Sequence, residues 1–185
     1  NRYLNRIKKK NNVIIFFLFL FEKYSSVTIG QSWDESFHLL QGKITLDYLI
    51  TLGYVDVPLF YREFYSPIYF SFTYLITNLF PNSLEIQINH LINTLASFTA
   101  LFGVAKITKK LFNKNTSYYA FLILFFYPIF FGHMSINGKD IILATCHVWI
   151  TYLILSYLEK QNDKANLNKY IICISILAAI GSGIQ

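Results

Sequence analysis

Two short stretches carry the side chains that could do chemistry. "QSWDESFHLLQGK", residues 31–43, sets Asp34 and Glu35 side by side after Trp33, and "FFGHMSINGKDII", residues 130–142, supplies His133, Lys139 and Asp140. A carboxylate held within hydrogen-bond reach of an attacking hydroxyl or amine can serve as general base. Lysine or arginine can neutralise a phosphate leaving group, arginine as a bidentate fork and lysine as a point charge. Lys139 is one such group and Arg62, in "FYREFYSP", is another. Asp34 and Asp140, from separate loops, are oxygen ligands of the kind that hold a hard divalent cation such as Mg or Mn.

Each of these residues also has a plain structural role. Ser32-Trp33-Asp34-Glu35 matches a capping box, in which Ser32 bonds the Glu35 backbone N–H and Glu35 reaches back. Asn137-Gly138 makes a turn, with Asp140 as cap of the helix that follows. His133 reads as interface packing, Arg62 as a cation reaching up to headgroups, and His38 and His90 as ordinary packing histidines. Cys146 and Cys173 fall in apolar runs as small buried thiols.

The elements that must position these groups are membrane helices. Of 185 residues 54% are hydrophobic, 18% aromatic and only 14% charged, with positive mean hydropathy, too apolar for a soluble single-core domain. The net charge of +6 comes from lysines clustered between apolar runs, with no basic stripe for nucleic acid. A hydrocarbon core of about 30 Å needs roughly 20 apolar residues. Spans are predicted over about 12–30, 88–105, 117–131 and 141–158, with a fifth over 170–185. The first contains Glu22 and Lys23, which are costly at that depth unless later helices pair them. The sequence opens without methionine and stops in an apolar stretch, so it is read as the N-terminal part of a longer polytopic protein.

If residues 66–80 do not cross, twelve of the sixteen basic residues fall on one side, which the positive-inside rule makes cytoplasmic. Residues 31–87 then form one long non-cytoplasmic loop. Within it Phe37, Leu40, Ile44 and Tyr48 recur at helical spacing, and 66–80 is a second helix, both lying in the interface. A basic N-terminus before an apolar run resembles a signal peptide, but no small-residue cleavage site follows.

An N-in first helix, "WDE" opening the first outer loop, interfacial helices, "INHLINTLASFTALFGVAKITKKLF" and the outer turn "FGHMSINGKD" together resemble the GT-C membrane glycosyltransferases. Closest in kind are the dolichyl-phosphate-mannose protein mannosyltransferases and their bacterial relatives, including the lipid A aminoarabinose transferase. The resemblance implies an all-α transmembrane bundle of GT-C type. It further implies transfer of a sugar from a polyprenyl-phosphate donor to a protein or lipid-glycan acceptor at the non-cytoplasmic face, with no nucleotide cofactor. In that family's terms Asp34 matches the catalytic base and Glu35 the second member of the acidic pair. Arg62 and Lys139 fall where the lipid phosphate is bound, and Asp140 with His133 where metal or acceptor is met. Gly138 stands where relatives often carry proline. The second outer loop resembles the bacterial members, which implies an inner membrane, with the endoplasmic reticulum as the other home. A transporter or flippase is the rival reading; it would place charges near midplane, where only Glu22 and Lys23 lie.

Overall fold

The structure is a computed structural model that describes residues 2–54, 67–161 and 164–184. Among the described residues it is all helix. The helices are α1 (Arg2–Thr28), α2 (Glu35–Ile50), α3 (Pro67–Thr77), α4 (Glu85–Leu111), α5 (Lys114–Phe125), α6 (Pro128–His133), α7 (Gly138–Glu159) and α8 (Lys164–Ser182), with a 3-10 turn over Asn82–Leu84. Arg62 lies outside the described residues.

The chain is organised around α4. It packs against α7, α5, α1 and α3, while α2 pairs with α3 and α8 lies on α7. Two stretches, Asn82–Leu111 and Gly138–Glu159, are long and apolar enough to cross a membrane. They contain the predicted spans at 88–105 and 141–158 and extend both. The first predicted span is a continuous helix, but Glu22-Lys23 interrupts its apolar run.

The predicted span at 117–131 is broken. Pro128 has no backbone N–H, and its ring would clash with the carbonyl four residues earlier, so α5 ends at Phe125 and a new six-residue helix starts at the proline. At 12 residues α5 is only about 18 Å long, short of the hydrocarbon thickness. Its start is well fixed: the Asn113 side chain accepts from the N–H groups of Asn115 and Thr116 at 2.9 and 3.0 Å.

The core beneath this corner is aromatic. Phe98 and Leu101 of α4 bury against Phe121 and Phe125 of α5 and Met134 after α6, and Phe19 of α1 meets Phe98 edge-on with ring centroids 5.0 Å apart. Outward, Phe16, Phe17, Ile123, Phe126 and Ile172 are all exposed, the surface expected of lipid-facing helices. Cys173 is exposed among them, where the sequence had suggested a buried thiol, while Cys146 is buried.

The two described α-helices of the 31–87 segment pack closely on each other. A Cβ on Gly42 of α2 would stand 2.2 Å from the Phe70 carbonyl of α3, so only glycine admits the α3 backbone there. Tyr69, Phe70, Ser71 and Thr73 are buried, so α3 is a packed element.

Candidate functional site

The site hangs on one face of α4. His90, Asn93 and Ser97, at helical spacing i, i+3 and i+7, are all fully buried, and together they fasten α4 to three other parts of the chain. His90 joins the α1–α2 turn, Asn93 joins α3 and the α6–α7 loop, and Ser97 joins that same loop one turn further down.

At the α1–α2 turn, Glu35 is 2% exposed and its carboxylate is fully engaged. Oε1 lies 2.6 Å from His90 Nε2 and 3.5 Å from the Asn89 amide nitrogen, while Oε2 accepts the Ser32 backbone N–H at 2.6 Å. The other ring nitrogen of His90 is 2.8 Å from the Ser26 carbonyl, which can only accept, so Nδ1 carries a hydrogen.

Half of the expected capping box forms. Glu35 reaches back to the Ser32 N–H, but the Ser32 hydroxyl turns away from the Glu35 N–H and donates to Asp34 Oδ1 at 2.9 Å. Asp34 is thereby held at the helix start as its N-cap residue, with no side-chain bond to the helix N–H groups. Its second oxygen is 3.4 Å from His38 Nε2, one turn on, and the His38 ring stacks on Phe70 at a centroid distance of 4.2 Å. Glu35 is thus built into the wall, while Asp34 stands half-open to solvent.

The second stretch is set by different bonds. The Asn93 amide donates to the Ser135 carbonyl at 2.8 Å and its oxygen accepts from the Tyr69 hydroxyl. Burial pushes the Tyr69 phenol well above its ordinary range, so it stays a neutral donor. The Ser97 hydroxyl reaches the Met134 carbonyl at 2.9 Å. Gly138, the first residue of α7, sits directly on this knot: a Cβ would come within 2.6 Å of both Asn93 Oδ1 and the Tyr69 ring. The cap of α7 is Asn137 and not Asp140, as Asn137 Oδ1 accepts the Asp140 N–H at 3.2 Å. Asp140, one turn inside, accepts from the Asn137 amide at 2.8 Å, and His133 Nδ1 lies 3.3 Å from the same amide nitrogen.

These bonds leave an open cavity of about 440 Å³ between the two stretches. Asp34 and Glu35 line it on one side, His133, Lys139 and Asp140 on the other, with Asn93 at its base. Five of the six side chains singled out from the sequence therefore meet in one space, and the sixth, Arg62, is outside the described residues. Trp33, 95% exposed, stands at the rim. Among the described residues no group of three His, Cys, Asp or Glu side chains comes together as a metal site. Asp34 and Asp140 offer two carboxylates, a set that a Mg ion would complete with phosphate oxygens and water.

His90 reads as a packing histidine in the sequence, and Asn93 and Ser97 were not singled out there. The signal was present as a polar stripe at helical spacing through an otherwise apolar run, "NHLINTLAS", where each buried polar group demands a partner.

The family model described as dolichyl-phosphate-mannose-protein mannosyltransferase matches residues 65–184. The chain belongs to this family, and is a membrane glycosyltransferase of the GT-C type. The match takes in α3 to α8, with Asn93, His133 and Asp140, and leaves Asp34 and Glu35 before it. No curated protein and no solved structure matches the chain.

Proposed function

We propose that the cavity between the α1–α2 turn and the start of α7 is where a sugar passes from a polyprenyl-phosphate donor to a protein or lipid-glycan acceptor. The observation that carries this reading is that Asp34 and Asp140, from loops about a hundred residues apart, line the same space as Lys139 and His133. The topology that fits it has α4 and α7 among the spans, the cavity on the non-cytoplasmic side and the lysine clusters on the other.

Asp34 is the general base. Its carboxylate takes the proton from the acceptor group as the acceptor oxygen or nitrogen bonds to the anomeric carbon. The bond from that carbon to the phosphate oxygen breaks on the opposite face, so the configuration inverts and the lipid phosphate leaves with the electron pair. The Ser32 hydroxyl and His38 hold Asp34 in place without burying it. Lys139 and Arg62 neutralise the departing phosphate. Glu35 acts through position: with both oxygens bonded within the protein it fixes the turn that presents Asp34. If a Mg or Mn ion takes part, Asp34 and Asp140 are the residues that would hold it. His133 and Asp140 face the acceptor side of the cavity.

The test is transfer of labelled sugar from a polyprenyl-phosphate donor in membranes bearing the full-length protein. Asp34→Asn is expected to lower turnover by at least about 100-fold with donor binding retained, as loss of a general base does. Transfer at the unsubstituted rate would leave Asp34 as no more than a helix cap.

A further inference from the structure

The end of α4 opposite the cavity carries a second, different recess. From His90 to Lys109 is nineteen residues of helix, roughly 30 Å, so a helix that puts His90 at one membrane boundary puts Lys109 at the other. There α4, α5 and α7 border a shallow, open cleft of about 390 Å³, lined by Phe102, Ala105 and Trp149 together with Lys106 and Lys109.

The wall is fixed. Trp149 donates its indole N–H to the Thr99 carbonyl at 3.1 Å, and the Ser117 hydroxyl of α5 donates to the Ala105 carbonyl at 2.7 Å. Lys106 Nζ lies 4.8 Å from the centroid of Trp149 and 5.4 Å from that of Tyr152, which holds the ammonium at the aromatic edge of the cleft. Lys110, by contrast, is paired with Glu159 of α7. Lys106 and Lys109, both exposed and three residues apart on one helical face, have no carboxylate partner among the described residues. The recess thus joins an apolar slot to two uncompensated cations at the headgroup level.

We propose that this cleft binds an anionic phospholipid, with its phosphate between Lys106 and Lys109 and an acyl chain along Phe102 and Trp149. Charge complementarity selects the anionic headgroup, and the apolar wall selects a lipid over a free phosphate. In the topology proposed above, the site opens to the cytoplasmic leaflet, where anionic lipids are concentrated.

The full-length protein, reconstituted in phosphatidylcholine bilayers, tests this with brominated lipids as quenchers. The emission of Trp149 is isolated as the difference between the protein and its Trp149→Phe variant. Brominated phosphatidylglycerol should quench it about fivefold more effectively than brominated phosphatidylcholine at equal fraction, the selectivity that about one lysine confers. The Lys106→Gln/Lys109→Gln variant should quench equally with both, and Lys106→Arg/Lys109→Arg should keep the preference, which separates loss of charge from loss of fold. Equal quenching of the unsubstituted protein by the two lipids would overturn the proposal. So would a preference that survives the glutamine variant, or one that excess inorganic phosphate abolishes, since the site would then recognise an ion and not a lipid.

Discussion

The two helix starts that face each other across the cavity share a local pattern and differ in everything else. Ser32…Glu35 and Asn137…Asp140 each place a residue of a type that favours helix caps three positions before an acid, although only Asn137 caps its helix. In both, the acid accepts from the earlier residue, by backbone N–H in the first and by side-chain amide in the second. Yet Glu35 is buried and joined to His90 of another helix, while Asp140 is exposed and, among the described residues, bonded within its own turn. The local motif sets where the acid begins, and the neighbouring helix decides whether it becomes part of the frame or remains available to a ligand.

The sharpest way to break the symmetry is to remove each acid in turn. Glu35→Ala leaves buried His90 without its partner and should cost about 3–5 kcal/mol. Asp140→Ala should cost under about 1 kcal/mol, since its carboxylate is solvated. Thermal unfolding of the detergent-solubilised protein should separate the two widely; equal losses would mean that Glu35 and His90 are no more tightly coupled than the surface pair.

A smaller effect probes how closely α7 must sit. Gly138→Ala forces a methyl into Asn93 and Tyr69 and should cost about 1–3 kcal/mol. Gly132→Ala, with open space around it, should be neutral or slightly stabilising. If both behave alike, the knot of Asn93, Tyr69 and Gly138 is slack. Smaller than the loss at Gly138 is that of Asn137→Ala, which removes the cap of α7 and should cost about 1 kcal/mol. Sugar transfer in that variant should fall further than its stability implies, because His133 and Asp140 both lean on the Asn137 amide.

The helical class and the meeting of the two acidic stretches were legible in the sequence, because apolar run length and the placement of charge between runs are local signals. The helix expected from Phe37 formed, but it turns Leu39, Gln41 and Gly42 inward, while Leu40 and Tyr48 of the expected apolar stripe are exposed. What was not legible depended on partners far along the chain. His90 looked like a packing residue because Glu35 lies 55 positions away, and the capping box was altered because Asp34 competes for the Ser32 hydroxyl. The break at Pro128 could have been read from the proline itself, but the run on both sides is so uniformly apolar that hydropathy alone joins it into one span.

The Glu35–His90 bond also has a bearing on biogenesis. Asp34 and Asp140 are about a hundred residues apart, so at about 5–20 residues per second the ribosome separates their emergence by roughly 5–20 s. Throughout that interval the acidic turn would be exposed to lipid headgroups with its counterpart not yet made. His90 arrives about halfway, on α4, and gives Glu35 a protein partner before α7 has left the ribosome. The residues that fasten the wall bearing Asp34 thus precede the wall bearing Asp140 by about fifty positions in the order of synthesis.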